Sequence, residues 1–340
     1  MTFLGGAHKT NVRRANPLAN WMTCGFLLAV VCMANLADAG TPRHDVSPDV
    51  SLTMGSSFES VGKFIGRSGS SAYLGSGTLI SDNWVLTAGH NVDSADSLSF
   101  SIGGQDYSAS SWIAHPGWDG DLMAGYDIAL VQLDAPVANI APAERYSGFE
   151  EMGAIATSVG YGKSGDGLSG AVSSAGTRRA GQNVIDMVTQ ESGGRVLLSD
   201  FDNPLDFTDN KLGSAFALEN EYLIAPGDSG GGLFIDTEFG PMLAGVHSFG
   251  SATDGLVNSD YGDVSGHIRV SAFNDWIDSI IYGDPFGDGS TLEFADGLFA
   301  NGVMSSITPS PVPEPATLGI AALMAIFGLA LGRRTLRRKA

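Results

Sequence analysis

Gly227-Asp228-Ser229-Gly230-Gly231 is the stretch on which the reading of this 340-residue chain turns. A serine hydroxyl is a weak nucleophile at neutral pH. It needs a base within hydrogen-bond reach and donors that stabilise the oxyanion formed by its attack. Glycines on both sides let the backbone turn sharply, aim amide N–H groups at a reacting carbonyl and leave room for a substrate. Alone, the pentapeptide leaves two folds open. It fits the G-x-S-x-G elbow of a strand–helix sheet, with Asp260 or Asp263 and His267 downstream as partners. It also fits a glycine-rich turn in an all-β protein.

The flanking sequence favours the second. From Val61 onward the chain is a series of short apolar runs, such as Trp84-Val85-Leu86, 98–102, 128–133, 154–159, 195–198, 232–235 and 242–246. They are separated by Gly, Ser, Asp and Asn, the pattern of an all-β barrel or sandwich rather than of alternating strands and helices. The 46 glycines fit many tight turns. One helix is expected at the end, where Val270, Phe273, Trp276, Ile277, Ile280 and Ile281 recur on one face. It should stop near Gly283-Asp284-Pro285.

Two further elements supply chemistry. Trp84-Val85-Leu86-Thr87-Ala88-Gly89-His90 is an apolar strand that ends at a histidine, the side chain suited to take and return a proton near neutral pH. Tyr126-Asp127-Ile128-Ala129-Leu130 places a carboxylate ahead of another apolar strand. In isolation a histidine at a strand end is most often a loop or core residue, and an acid before a strand is most often a cap.

Together, in the order His, Asp, Ser, these elements resemble the trypsin-like (chymotrypsin-fold) serine peptidases from about Val61 to Ile281. Supporting matches are the 75–80 strand, Ile113-Ala114-His115-Pro116, Gly160-Tyr161-Gly162, the 245–250 segment and the closing helix with Trp276. The resemblance implies two antiparallel six-stranded β-barrels, at about 59–147 and 148–282, with a C-terminal α-helix and a cleft between the barrels. It also implies that Ser229 is the nucleophile, His90 the general base and acid, and Asp127 the carboxylate that orients His90. Gly227 and Ser229 N–H groups would form the oxyanion hole, and no metal or organic cofactor would be needed. A catalytically degenerate peptidase fold serving as a surface binding module is the alternative. No Ile-Val-Gly-Gly-like sequence precedes Val61. The partner of Asp228, which pairs with a freed N-terminus in relatives activated by cleavage, is therefore open, and cleavage after Arg43 is one route.

The resemblance also places a specificity pocket. Leu223, six residues before the nucleophile, would form its base, and His247-Ser248-Phe249-Gly250 its wall. An uncharged Leu223 argues against a preference for Arg or Lys. His247 stands where glutamate-specific relatives hold a histidine on the substrate carboxylate, but Ile224 and Pro226 lack the hydroxyls found there. An apolar preference is expected ahead of a glutamate one.

The ends of the chain carry different signals. Lys9, Arg13 and Arg14 precede an apolar run from about Trp21 to Leu36, followed by Ala37-Asp38-Ala39. This pattern is that of a secretory signal peptide, 1–39, cleaved after Ala39. Residues 40–58 read as a loose leader, and 283–312 as a Gly-, Ser- and Asp-rich linker. Val312-Pro313-Glu314-Pro315 is followed by an uncharged run, 316–331, and then by Arg333, Arg334, Arg337, Arg338 and Lys339. As a helix that run spans about 24 Å, slightly short of the hydrocarbon core. The tripartite end, 313–340, resembles the PEP-CTERM sorting signal of Gram-negative bacteria. That resemblance implies a transmembrane helix before processing, an exosortase-type partner, and a periplasmic, cell-surface or secreted destination.

The chain has 18 basic and 37 acidic residues, a net charge of −19, and residues 40–312 keep 10 basic and 35 acidic, or −25. Such a surface repels phosphate backbones, which excludes nucleic acid as a partner. Both cysteines, Cys24 and Cys32, lie in the signal, so the mature chain has no disulfide or thiolate metal site. Asp200, Asp202, Asn203, Asp206 and Asp209, and separately Asp284 and Asp288, carry calcium-ligating side chains, but neither has EF-hand spacing and solvated turns are favoured.

Overall fold

The computed structural model describes residues 40–283. The expected signal peptide at 1–39, the expected linker beyond Gly283 and sorting tail at 313–340, and Asp284 and Asp288 lie outside the described residues. No described helix is long and apolar enough to cross a membrane.

The first half is a closed six-stranded antiparallel barrel. Its strands are β2 (Val61–Ser68), β3 (Ser71–Ser81), β4 (Trp84–Thr87), β5 (Ser97–Ile102), β6 (Gln105–Ala114) and β7 (Ala129–Leu133), joined in the order β2-β3-β4-β7-β6-β5 with β2 returning to β5. The sequence explains the pattern strand by strand. In β5, Leu98, Phe100 and Ile102 point into the barrel while the intervening serines point outward. Gly103 and Gly104, at φ 60° and 77°, then make the two-residue turn into β6 that only residues tolerant of positive φ can form. β4 and β7 are apolar on both faces. Val85, Ala129, Val131 and Leu133 fill the barrel, whereas Leu86, Ile128 and Leu130 face a second core shared with the other half of the molecule. This double burial is why these stretches read as unbroken apolar runs, and it draws His90 and Asp127, at their ends, to the junction.

The second half is not a closed barrel. It is a seven-stranded antiparallel sheet, β11-β8-β15-β16-β17-β13-β12, curved into a half-barrel. The strands are β8 (Ile155–Gly160), β11 (Arg179–Val184), β12 (Met187–Val188), β13 (Val196–Asp200), β15 (Gly232–Thr237), β16 (Gly240–Ser251) and β17 (Val264–Arg269). The expected six-stranded closure is not formed, because no ladder joins the two edge strands. These, β11 and β12, are consecutive in the chain, separated only by Ile185 and Asp186, so one bent segment stands on both sides of the seam. Asn183 partly bridges the gap, its amide donating to the carbonyls of Asp200 at 2.7 Å and Tyr222 at 3.1 Å. Every ladder in both halves is antiparallel, which removes the strand–helix fold that Gly227 to Gly231 left open.

The closing helix α2 (Asn274–Tyr282) follows a short 3₁₀ turn at Val270–Phe273 and stops at Gly283. Val270, Phe273, Trp276 and Ile277 are buried in the shared core beside Ile128, Leu130 and Val246. Residues 40–58 are not loose. Thr41–Pro42 forms β1, paired with β14 (Tyr222–Leu223), and Pro48–Ser56 forms α1, capped by Ser47. α1 carries so few apolar side chains that its sequence looked like a leader. It is held by tertiary contacts: Met54 packs against the shared core, and buried Arg179 donates to the Pro48 carbonyl and the Ser51 hydroxyl.

Candidate active site

His90 sits in a single 3₁₀ turn, Gly89–Asn91, immediately after β4. Asp127 lies two residues before β7 and is wholly buried. The two are joined twice: His90 Nδ1 stands 2.7 Å from Asp127 Oδ2, and the His90 backbone N–H donates to Asp127 Oδ1 at 2.8 Å. With the Nδ1 proton donated to the carboxylate, Nε2 is left as the basic nitrogen. The His90 side chain keeps 32% exposure, so that nitrogen's side of the ring is accessible while the carboxylate is at 0%.

Asp127 has a third donor. Ser248 Oγ bonds Asp127 Oδ2 at 2.5 Å and is itself buried. The sequence reading assigned Ser248 to the pocket wall. The structure turns its hydroxyl toward the carboxylate that holds His90.

Ser229 lies in the loop between β14 and β15, across the junction from His90. Its carbonyl accepts from Asn91 Nδ2 at 2.8 Å and from the Ser76 backbone N–H at 2.8 Å. The residue after the histidine is thus fastened to the serine, and so is β3. Among the described residues no hydrogen bond links Ser229 Oγ to His90 Nε2. In unliganded enzymes such bonds are often long and tighten only around substrate.

The glycines do what the pentapeptide called for. Gly227 at φ 101° and Gly230 at φ 84° occupy the left-handed side of backbone space. A Cβ at Gly230 would meet Thr87 Oγ1 at 2.1 Å. The Asp228, Gly230 and Gly231 N–H groups donate to the Ala225, His247 and Asp228 carbonyls. The Gly227 and Ser229 N–H groups, by contrast, have no protein acceptor among the described residues, the state required of oxyanion donors. Ser76 Oγ fixes this loop, donating to the Gly227 carbonyl at 3.0 Å and accepting from the Tyr161 N–H at 2.9 Å.

Asp228 has its partners inside the fold. It is buried, and its two oxygens accept from the Gly162 N–H at 2.7 Å and the Ala225 N–H at 2.8 Å. Burial pushes its carboxyl up to about 7, against the pull of those two amides.

A family model described as Trypsin matches residues 54–277. The chain belongs to the trypsin family. Over 79 residues it is 43% identical to human chymotrypsin-like elastase family member 1, a match covering 20% of this chain and 31% of that protein. Over 68 residues it is 44% identical to the dog protein of the same name, covering 17% and 26%. The matched stretches thus span a third or less of these curated relatives. Among solved structures, HL collagenase aligns with TM-score 0.51 at 20% identity, over 72% of this chain and 97% of the other. Mouse neuropsin aligns with TM-score 0.50 at 18% identity, over 68% and 97%. At these identities the two structures speak for the fold alone: a β-barrel, a half-barrel and a C-terminal helix.

Among the trypsin-family pocket positions, Leu223 is buried under Thr41 in the β1–β14 ladder, and Phe249 lies in the shared core. Gly250 is exposed. His247 is fully buried and bonds the other way, its Nδ1 2.9 Å from His267 Nδ1. Burial, and then the neighbouring His267 imidazole, hold it well below the ordinary histidine range. A cationic His247 offered to a substrate carboxylate is therefore corrected to a neutral core residue. The same bond, with His267 Nε2 3.2 Å from Ser265 Oγ, occupies the His267 that the elbow reading would have needed.

Asp200 and Asp202 are buried rather than in solvated turns. Asp200 accepts from the Lys211 and Leu212 N–H groups, and Asp202 from Asn210 Nδ2 at 3.1 Å. Among the described residues, no group of three or more His, Cys, Asp or Glu side chains is placed to hold a metal ion. Ser76 and Asn91 escaped the sequence reading. Their signals were small: a hydroxyl between two glycines inside an apolar strand, and an amide directly after the histidine.

Proposed function

We propose that this trypsin-family protein is an exported serine endopeptidase that cleaves protein substrates through Ser229, His90 and Asp127. The observation that carries the reading is the buried Asp127 carboxylate bonded to His90 Nδ1 at 2.7 Å, on the element whose next residue, Asn91, grips Ser229. Ser229 Oγ attacks the scissile carbonyl while His90 Nε2 takes its proton. The Gly227 and Ser229 amides receive the oxyanion. His90 then returns the proton to the leaving amine, and a water repeats the sequence to release the acyl group. Asp127 stays ionised throughout and stabilises the imidazolium. These steps call for no metal or organic cofactor.

The same reading favours an apolar residue before the cut: Leu223 and Phe249 carry no charge, and a buried His247 offers glutamate no exposed cation. A peptide panel varying only the residue before the cut should favour apolar residues; preferential cleavage after Glu or Arg would reject this.

Export and sorting belong to the same proposal. Removal of 1–39 would deliver the domain across the inner membrane, and a PEP-CTERM tail at 313–340 would hold it at the membrane until an exosortase-type enzyme acts. The test is mass spectrometry of the mature protein after reaction with a serine-directed phosphonate. An adduct on Ser229, absent in Ser229→Ala, and termini near Gly40 and Pro313 are expected. A folded protein that is never labelled would instead be a binding module.

A further inference from the structure

In this family the acid beside the nucleophile commonly awaits a freed N-terminus, but here Asp228 is already bonded through both oxygens to backbone amides. Among the described residues no cation forms an ion pair with it. What reaches the region instead is the segment of residues 40–43, whose first residue is the one that processing after Ala39 would leave at the N-terminus.

This segment touches three of the loops in the second half of the molecule. Thr41 pairs with Leu223 and Pro42 with Tyr222, six and seven residues before the nucleophile. Thr41 Oγ1, fully buried, donates to the Ser259 carbonyl at 2.7 Å and to the Leu223 carbonyl at 3.4 Å. Gly40 bridges Ser164, two residues past the Gly162 that holds Asp228. The Pro42 carbonyl accepts from the Gly167 N–H at 3.0 Å. Arg43 donates from its backbone to Glu221 and from Nη1 to the Leu218 carbonyl at 2.7 Å. Gly40 is packed so closely on buried Tyr222 that a Cβ there would lie 1.8 Å from Tyr222 Oη, at a φ of 60°. The segment therefore ties together three separate loops: the one after β8, the run into β14, and the β16–β17 connection.

We propose that residues 40–43 are a strap that positions the pocket base at Leu223, so that the enzyme is competent without a free α-amine paired to Asp228. The inference rests on the peptidase reading above. Cleavage after Arg43 would cut the strap away from the chain that holds it, and would inactivate rather than activate. Thr41 is a positioning residue: it touches Leu223 and Ser259, not the reacting atoms.

The test uses the full chain in four forms: processed at Ala39, processed and then acetylated at the Gly40 amine, unprocessed through Ala37→Arg, and with residues 40–43 deleted. Active sites are counted by phosphonate labelling of Ser229, and kcat and KM are referred to that count. The first three forms should agree within about twofold, with no loss of kcat from pH 7 to 9, where an α-amine of pKa near 8 would discharge. The deletion should abolish labelling. Because it could also prevent folding, Thr41→Val is the finer probe. It should raise KM about five- to tenfold for the lost hydrogen bonds while kcat per labelled site holds, and Thr41→Ser should restore KM to within about twofold. A merely structural Thr41 would lower the labelled fraction and leave KM unmoved, which would overturn the proposal. So would a tenfold loss on acetylation or in the Ala37→Arg chain. A folded processed chain that is never labelled would overturn the peptidase reading and the strap with it; labelling that acetylation abolishes would overturn the strap alone.

Discussion

Ser76→Ala removes one oxygen and should disturb both stability and turnover. Ser76 is fully buried in β3 of the first barrel. Its Oγ makes two bonds to the second half of the molecule, to the Gly227 carbonyl and from the Tyr161 N–H. Alanine keeps the backbone bonds to Ser229 and Thr87 but leaves that carbonyl and that amide without a partner. Each orphaned buried group costs about 1–3 kcal/mol, so the pair should cost about 2–4 kcal/mol, once partial solvation of the loop is allowed for. In a domain of this size that is a fall in Tm of roughly 5–15 °C. The Gly227 amide lies one peptide unit before the Gly227 carbonyl that Ser76 holds, joined to it through the Gly227 Cα. Losing an oxyanion donor outright costs about 10²–10³ in kcat, so loosening one should cost up to about 10² with KM little changed. Ser199→Ala is the control, because the buried Ser199 Oγ has no partner among the described residues and its removal should be neutral or slightly stabilising. Thermal unfolding and steady-state kinetics on one peptide decide the matter. If Ser76→Ala and Ser199→Ala behaved alike in both, the junction would not be clamped through this hydroxyl.

Asp127→Asn should fold, because its neighbours His90 and Ser248 accommodate an amide, yet it should lose about 10⁴ in kcat by stabilising the wrong imidazole tautomer; retention of more than a tenth of wild-type kcat would reject the assigned role. Glu151→Ala breaks the buried bonds to Arg269 and Ser271 and strands the guanidinium, at a cost of about 3–5 kcal/mol in chemical denaturation; a change below about 1 kcal/mol would mean that water reaches Arg269. Stability should fall between pH 6.5 and 8. Burial raises Asp200 and Asp228 to about 7 and Glu221 to about 8, so the folded chain keeps protons there that the unfolded chain has lost. Below pH 6.5 the lowered His115 and His267, at about 4 and about 3, oppose that slope because the unfolded chain binds more protons. The expected loss from pH 6.5 to 8 is about 1 kcal/mol for each of Asp200 and Asp228, and urea midpoints that rise over this interval would contradict the assignment.

The amino-acid sequence alone determined the strand pattern and the candidates for the reactive groups. His90, Asp127 and Ser229 could be read because each closes or opens a short apolar run, and the double-faced burial of β4 and β7 is written as unbroken hydrophobicity. The helix at Asn274–Tyr282 was legible from its apolar face. Tertiary structure alone decided the rest. Whether the second sheet closes depends on how one bent segment meets itself, which no local pattern encodes. Thr41 is an ordinary polar residue until β14 is laid against it, and residues 40–58 have too little apolar periodicity to betray strand or helix. Ser248 and His247 are neighbours on one strand, but the ladder to β17 shifts register at Ser248, and the bulge sends its hydroxyl to Asp127 while His247 stays in the core with His267. A sequence states which side chain stands next to which along the chain; burial, and with it charge state and partner, is fixed only when distant strands close over them.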